Sequence, residues 1–329
     1  MISNVSARVE ALVNGRRFAD AAQLLLQAAA AGDAGAVAQL GHWRISGAIV
    51  RRDLAAARTL LGRAGTAGDR DSAMLHAAFV ACGVGGPADW GSALALLRRL
   101  ARHDDRARSQ LALIDGMPIE ADGTPQTLAR REVLSGSAPR VEALRALLSP
   151  EECAYLIEAG SPSLQPSMVV DPQSGHLMPH PIRTSDNSQF GVYSEDLVVN
   201  AINRRIAAAS GTAADQGEPL QLLRYRPGGE YRAHMDALPG EANQRILTVI
   251  IYLNDGYDGG ATTFSRSGLS FRGGVGDALL FGNVGADGRP DPTSQHAGLP
   301  VTRGTKLIAT RWIRKARFTF PSPQPLTPY

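Results

Sequence analysis

Lysine is nearly missing from this 329-residue chain: Lys306 and Lys315 are the two it has, although 34 basic residues stand against 31 acidic ones for a net charge of +3. The positive charge is therefore arginine, mixed with aspartate along the chain and not gathered into a basic run, which argues against a nucleic-acid partner. Cysteine is just as scarce. Cys82 and Cys153 lie far apart without metal-ligand spacing, so small buried side chains are expected in place of a disulfide or a reactive thiol. No apolar run approaches the ~18 residues of a membrane span. The opening MISNVSARVEALVNGRRF lacks the apolar stretch of a secretory signal, so a cytoplasmic protein with no membrane partner is expected. With 44% hydrophobic and 20% charged residues, what remains is globular, neither disordered nor collagen-like, and its length suits two domains.

Proline and tyrosine avoid the first half. Pro87 alone precedes residue 118, fifteen of the twenty prolines lie beyond residue 150, and all seven tyrosines fall at or after Tyr155. The first half is rich in Ala, Leu and Arg, and residues such as Leu54, Ala57, Leu60, Leu61 and Ala64 carry the three- and four-residue spacing of an amphipathic helix. It also repeats: Gly32-Asp33 returns as Gly68-Asp69, Gly47 as Gly83, Asp53 as Asp89, Ala57 as Ala93 and Leu60-Leu61 as Leu96-Leu97, each 36 residues on. Such a period signifies a solenoid of helical hairpins. The pattern over about residues 31–102 resembles Sel1-like repeats, relatives of the tetratricopeptide repeat, with Leu75-His76 where the first copy has Leu40-Gly41. An Ala-rich bundle with accidental periodicity is the alternative, and neither supplies chemistry.

Helical patterning is expected to continue through residues 103–149, past a loop with Pro118, Gly123 and Pro125, with VEALRALL as a short helix. Ser149-Pro150-Glu151-Glu152 is a helix start, with a hydroxyl cap, proline in the first turn and two acids, and Gly160 ends that helix. A second helix is expected from about 195 to 210, capped by Ser194. Beyond it the period changes to two. LQLLRY, EYRAHMD, RILTVIIYL, DALLF and TKLIATRWI are strand-like runs between glycine-rich turns, the signature of a β-sandwich or barrel. The expected architecture is an α+β chain of two domains: an all-α helical-repeat domain over 1–144, a β-rich domain over 145–318, and a Pro-rich tail over 319–329, disordered or polyproline II.

His234 and Asp236 stand two apart in a strand-like run, so both side chains should share a face, and His296 follows after 59 intervening residues. Two histidines and a carboxylate leave three positions of a metal open, which suits ferrous iron holding a bidentate keto acid and dioxygen. Zinc is a poorer fit, because no HExxH motif is present. Lys306, ten residues after His296, could face the distal carboxylate of a dicarboxylate, and a lysine here stands out in a chain that elsewhere uses arginine. Tyr225 and Tyr231 lie at odd offsets from His234, so strict alternation turns them away, and the turn at Pro227-Gly228-Gly229 must reset the face for at least Tyr225. His176 and His180 sit in DPQSGHLMPHP, a flexible loop rather than a second metal site.

Taken in order, Tyr225, Tyr231, His234 and Asp236, then Arg245, Tyr252-Leu253-Asn254, Gly259-Gly260-Ala261-Thr262-Thr263-Phe264, Gly276-Asp277-Ala278-Leu279-Leu280-Phe281, His296, Pro300, Gly304, Lys306 and Trp312 resemble the 2-oxoglutarate and Fe(II)-dependent prolyl 4-hydroxylases over about residues 145–317. The resemblance implies a double-stranded β-helix, or jelly roll, with flanking helices. It implies His234, Asp236 and His296 as catalytic iron ligands and Lys306 as the anchor of 2-oxoglutarate, with Tyr225, Thr262 and Tyr252 beside it. Arg183, Tyr231, Arg245 and Trp312 would line the substrate groove, although Arg245 also suits a solvated charge and Trp312 a core position. Fe(II), 2-oxoglutarate and O2 are the implied cofactors, with ascorbate as reductant, and Arg183-Thr184-Ser185 resembles the family's mobile loop. Ala261 departs from the family's usual Glu, which bears on substrate preference. Three functions follow: hydroxylation of proline in a peptide or protein recruited by the repeats, hydroxylation of a free amino acid or small metabolite, and an oxygen- or iron-sensing adaptor.

Overall fold

The computed structural model describes residues 4–126, 129–170, 177–179, 182–320 and 323–329. It divides into two compact units: Met1–Gly123 with Glu195–Ala201 and Thr319–Tyr329, and Thr124–Ser194 with Ile202–Phe318.

The first unit is helical, with α1 (Asn4–Asn14), α2 (Phe18–Ala30), α3 (Ala34–Ser46), α4 (Leu54–Thr66), α5 (Arg70–Cys82), α6 (Trp90–Leu100) and α7 (Asp105–Asp115). Aspartates start the repeated helices. Asp33 and Asp69 accept hydrogen bonds from the backbone of Ala36 and Ser72, and Asp53 and Asp89 from Ala56 and Ser92, so α3/α5 and α4/α6 begin 36 residues apart. Gly47 and Gly83 close α3 and α5 in the left-handed conformation, where a side chain would be strained. Leu25, Val37, Leu40, Leu60 and Ala64 belong to one buried cluster, which is the hairpin-on-hairpin packing the 36-residue period predicts. The Pro-rich end is not free. The Leu326 amide donates to the Ala48 carbonyl at 2.8 Å and the buried Thr327 hydroxyl to that of Ile49, which pins the segment to the loop after α3; Pro321 and Ser322 lie outside the described residues. Among the described residues no helix is long and apolar enough to cross a membrane.

The second unit holds β1 (Arg130–Ser135), β2 (Val141–Arg145), α8 (Pro150–Gly160), β3 (Gln165–Pro166), β4 (Met168–Val170), β5 (Leu177–Pro179), β6 (Asp186–Phe190) and most of α9 (Leu197–Ser210). There follow β7 (Leu220–Tyr225), β8 (Tyr231–His234), β9 (Arg245–Tyr252), β10 (Tyr257–Gly259), β11 (Thr262–Phe264), β12 (Ser270–Phe271), β13 (Ala278–Gly282), β14 (His296–Gly298), β15 (Val301–Gly304) and β16 (Lys306–Arg314). An eight-stranded sheet runs β1-β2-β13-β9-β16-β7-β6-β3, and a four-stranded sheet runs β12-β11-β14-β8; β10 pairs with β15 and β4 with β5. Among the described residues the strand pairings within the two larger sheets are antiparallel. Tyr225, Tyr252, Phe264, Phe281, Val301 and Ile308 form part of one buried core drawn from strands of both sheets, the jelly roll expected for this region.

Two local expectations need correction. VEALRALL is not a helix: its first five residues are β2, which pairs with β13 through Leu144↔Ala278 and Val141↔Phe281, and Val141 and Ala143 are fully buried. Non-local pairing overrides the helical propensity of Glu, Ala and Leu, so the sheet unit begins at Thr124 and not at residue 145. The cap of α9 is Asp196, whose carboxylate accepts the Val199 amide at 3.0 Å, while the Ser194 hydroxyl is taken up by a turn with Gly191. The Ser149 start stands as read, with the reciprocal Ser149 and Glu152 bonds of a capping box. Neither cysteine is in a disulfide, and burial pushes the Cys153 thiol up to about 12.

Candidate active site

The two sheets enclose a cavity whose walls follow from strand alternation. Lys306, Ile308, Thr310 and Trp312 point inward from β16, joined by Leu223 and Tyr225 of β7 and Thr248 and Ile250 of β9. Residues two apart share a face of a strand. His234, Thr262, His296 and Gly298 close the cavity from the four-stranded sheet. Register then brings distant residues together: His296 lies directly opposite His234, and Lys306 opposite Tyr225.

One irregularity completes this wall. Between His296↔His234 and Gly298↔Tyr231, β14 advances two residues while β8 advances three, a bulge that turns Tyr231 back to the face of His234. The two rings stack with centroids 3.4 Å apart. The turn at Pro227-Gly228-Gly229 therefore accounts for Tyr225, by carrying the chain from one sheet to the other, and the bulge accounts for Tyr231.

Asp236 lies just past the end of β8, with its Oδ1 3.6 Å from His234 Nε2 and its Oδ2 3.6 Å from His296 Nε2. One ligand atom from each of the three residues lies within 4.8 Å of the other two. On the far side of each ring, His234 Nδ1 is 2.8 Å from the Arg232 carbonyl and His296 Nδ1 is 3.0 Å from that of Ser294. A carbonyl can only accept, so both Nδ1 atoms carry a proton, which leaves Nε2 as the atom that each ring turns toward the carboxylate. Two imidazole nitrogens and a carboxylate converging on one point can hold a cation, and the donor set fits ferrous iron. Burial lowers the His296 pKa, which favours the neutral ring that a metal ligand needs. Burial alone would raise the Asp236 carboxyl, but His296, His234 and the Thr248 hydroxyl together hold it below the ordinary carboxylate range.

Lys306 is buried, and burial pushes its ammonium down to about 8, with Arg272 adding to the effect. Its Nζ donates to the Gly260 carbonyl at 2.6 Å and lies 5.6 and 5.5 Å from the ring centres of Tyr225 and Tyr252. No carboxylate among the described residues offsets this charge. A buried cation facing a cavity and lacking an anion is a fit for the distal carboxylate of 2-oxoglutarate. Thr262 and Tyr225 line the same space, and burial raises the Tyr225 phenol to about 12, so it stays a neutral hydrogen-bonding group. Tyr252 does not reach the cavity. It is fully buried behind Thr262, 2.9 Å from that hydroxyl, and holds it in place.

At the rim, Arg183 pairs with Tyr231 through a β-bridge and lies 5.4 Å over its ring. Trp312 forms part of the cavity wall, and its buried indole nitrogen has no acceptor among the described residues. Arg245 does not line the cavity. It is paired with Glu218 at 2.6 and 2.8 Å and stacks 3.9 Å from the Trp312 ring centre, so it steadies that wall from behind. His176 and His180 lie outside the described residues. Sequence reasoning missed Thr248, whose hydroxyl donates to Asp236 at 2.7 Å and accepts from Asn283 at 2.8 Å. The available signal was a lone hydroxyl inside RILTVIIYL.

The profile of the 2OG-Fe(II) oxygenase superfamily matches residues 220–314. Prolyl 4-hydroxylase 1 of Arabidopsis thaliana is 38% identical over 204 residues, covering 56% of this chain and 71% of that protein. Among solved structures, a viral collagen prolyl hydroxylase from Paramecium Bursaria Chlorella virus-1 in its 2OG complex is similar at 26% identity and a TM-score of 0.43, over 54% of this chain and 96% of that one. A Sel1 repeat protein from Oxalobacter formigenes is 25% identical at a TM-score of 0.30, over 33% of this chain and 88% of that one.

Proposed function

This chain belongs to the prolyl 4-hydroxylases of the 2OG-Fe(II) oxygenase superfamily, and on that premise we propose that it hydroxylates proline in a peptide or protein substrate recruited by its helical repeats. The observation that carries the reading is the pairing, in one cavity, of a convergent His234, Asp236 and His296 set with the unmatched buried ammonium of Lys306. His234, Asp236 and His296 would hold Fe(II). Once bound, the metal supplies the dioxygen chemistry that couples decarboxylation of 2-oxoglutarate to oxidation of a C–H bond.

The chain's own residues supply position and exclusion. Lys306 fixes one end of the cosubstrate, and Thr262, held by Tyr252, and Tyr225 offer hydroxyls beside it. Leu223, Ile250 and Ile308 make the wall apolar and keep water from the reacting end. Tyr231 and Arg183 form the rim against which the substrate chain lies, with Trp312 presenting a free N–H on the wall. Ascorbate is the reductant this reading adds. The test is incubation of the Fe(II)-loaded full chain with 2-oxoglutarate and a proline-containing peptide, with succinate and the peptide mass followed together. Succinate with a gain of one oxygen on proline supports the reading. Oxygen transfer confined to free amino acids or small metabolites would replace it.

A further inference from the structure

Arg183 lines the catalytic cavity and also a second groove of about 200 Å3, so one side chain is the shared wall of both. Ser167, Thr184, Asp186, Arg224 and Arg226 are among the other residues that line that groove. Its charge is unbalanced. Asp186 is engaged twice, by Arg224 through Nε at 3.0 Å and Nη2 at 2.8 Å and by Arg226 through Nη1 at 2.9 Å. Arg183 pairs with no carboxylate among the described residues, and its Nε is buried without an acceptor. Three guanidiniums therefore face one carboxylate. Glu230, whose carbonyl accepts the Thr184 amide, has its carboxylate 3.7 Å from Arg232.

The groove is also close to the chemistry. His234 carries the Tyr231 ring at 3.4 Å, and Arg183 lies 5.4 Å over that ring, so two side chains separate a metal ligand from the groove. An extended peptide covers that span in about two or three residues, at roughly 3.3–3.6 Å each. The strap that carries Arg183 is tied to β8, through Thr184 N to Glu230 O at 3.0 Å and Arg232 N to Ile182 O at 2.8 Å.

We propose that this groove receives an acidic side chain two or three residues from the target proline, so that the enzyme selects prolines with Asp or Glu nearby. Planar guanidiniums suit a carboxylate in both geometry and charge, and an acidic residue would halve the excess positive charge of a partly enclosed site. The inference rests on the peptidyl-proline reading and narrows its substrate class.

The experiment uses the full, Fe(II)-loaded chain and peptides with a single proline, in which Glu, Gln or Lys is scanned through three positions on either side. At one position or more the Glu peptide should exceed the Lys peptide by ~tenfold in kcat/KM, with Gln between, and added salt should narrow the ratio. Arg226→Glu should shift the Glu-to-Lys ratio toward Lys and Arg226→Gln should shift it part of the way; because each variant is judged on its own ratio, a loss of folded enzyme cancels. Equal turnover of Glu and Lys peptides at every position, or a ratio unmoved in both Arg226 variants, would overturn the acidic preference alone. Failure of all peptides while 2-oxoglutarate is still consumed would remove the peptidyl-proline reading and this inference with it.

Discussion

Thr248 does for Asp236 what the carbonyls of Arg232 and Ser294 do for the two histidines: it fixes which lone pairs face the shared point. Such supporting groups commonly carry 10- to 100-fold in metal affinity. Thr248→Val should therefore weaken Fe(II) binding by about that range while His234→Ala or His296→Ala abolishes it, as metal titration of the purified protein would report. Lys306 yields a pH prediction. Its ammonium is held at about 8 against 10.5 when unfolded, so the charged form is the one that folding disfavours. Between those values the unfolded chain binds more protons, and the stability of protein free of 2-oxoglutarate should rise with pH through that window, a rise missing from Lys306→Met. Cosubstrate binding runs the other way. Above about pH 8 the amine loses the charge that meets the carboxylate, so KM for 2-oxoglutarate should climb, and Lys306→Ala should raise it even at neutral pH, by up to roughly 3 to 5 kcal/mol.

Elements divide into those whose signals are local and those whose signals are not. Asp33, Asp53, Asp69 and Asp89 are caps that any helix start of this kind needs, and a period built from them was legible in one dimension. Gly85 marks the same unit: at φ +70, a side chain there would run into the Leu54 carbonyl at the start of α4. Gly85→Ala should cost at least about 2 kcal/mol in urea unfolding of the full chain, combining a left-handed backbone with overpacking. The sheet unit was legible where residues alternate, as in Lys306, Ile308, Thr310 and Trp312, which made the lysine's inward direction readable. It was not legible in VEALR, whose helix formers become β2 only because β13 lies alongside. Nor was the bulge between β8 and β14 legible. An extra residue is visible only against its partner strand, so Tyr231 read as facing away from the ligand it stacks upon. Arg245 was misplaced for a related reason, since its partner Glu218 lies 27 residues upstream on no shared motif.

For the whole molecule, the correction to β1 and β2 redraws where the chain can be shortened. Val141 and Ala143 belong to the core beneath the cavity. A chain beginning at residue 146 would leave β13 as a bare edge with an uncovered apolar face, and should aggregate more than one beginning at 124, by light scattering of the two after identical purification. Composition has its own consequence at this scale. With lysine limited to Lys306 and Lys315, the chain carries two side-chain amines of opposite character. Lys315 is exposed, whereas Lys306 is buried with its proton held less tightly. The unprotonated amine is the nucleophile, so at mildly alkaline pH a reagent small enough to enter the cavity should react with Lys306, while a bulky acylating reagent would mark Lys315 and leave Lys306 untouched. Saturating 2-oxoglutarate should silence the first reaction and spare the second. The scarcity of one residue type thus turns amine labelling into a direct report of whether the cosubstrate is seated, independent of turnover.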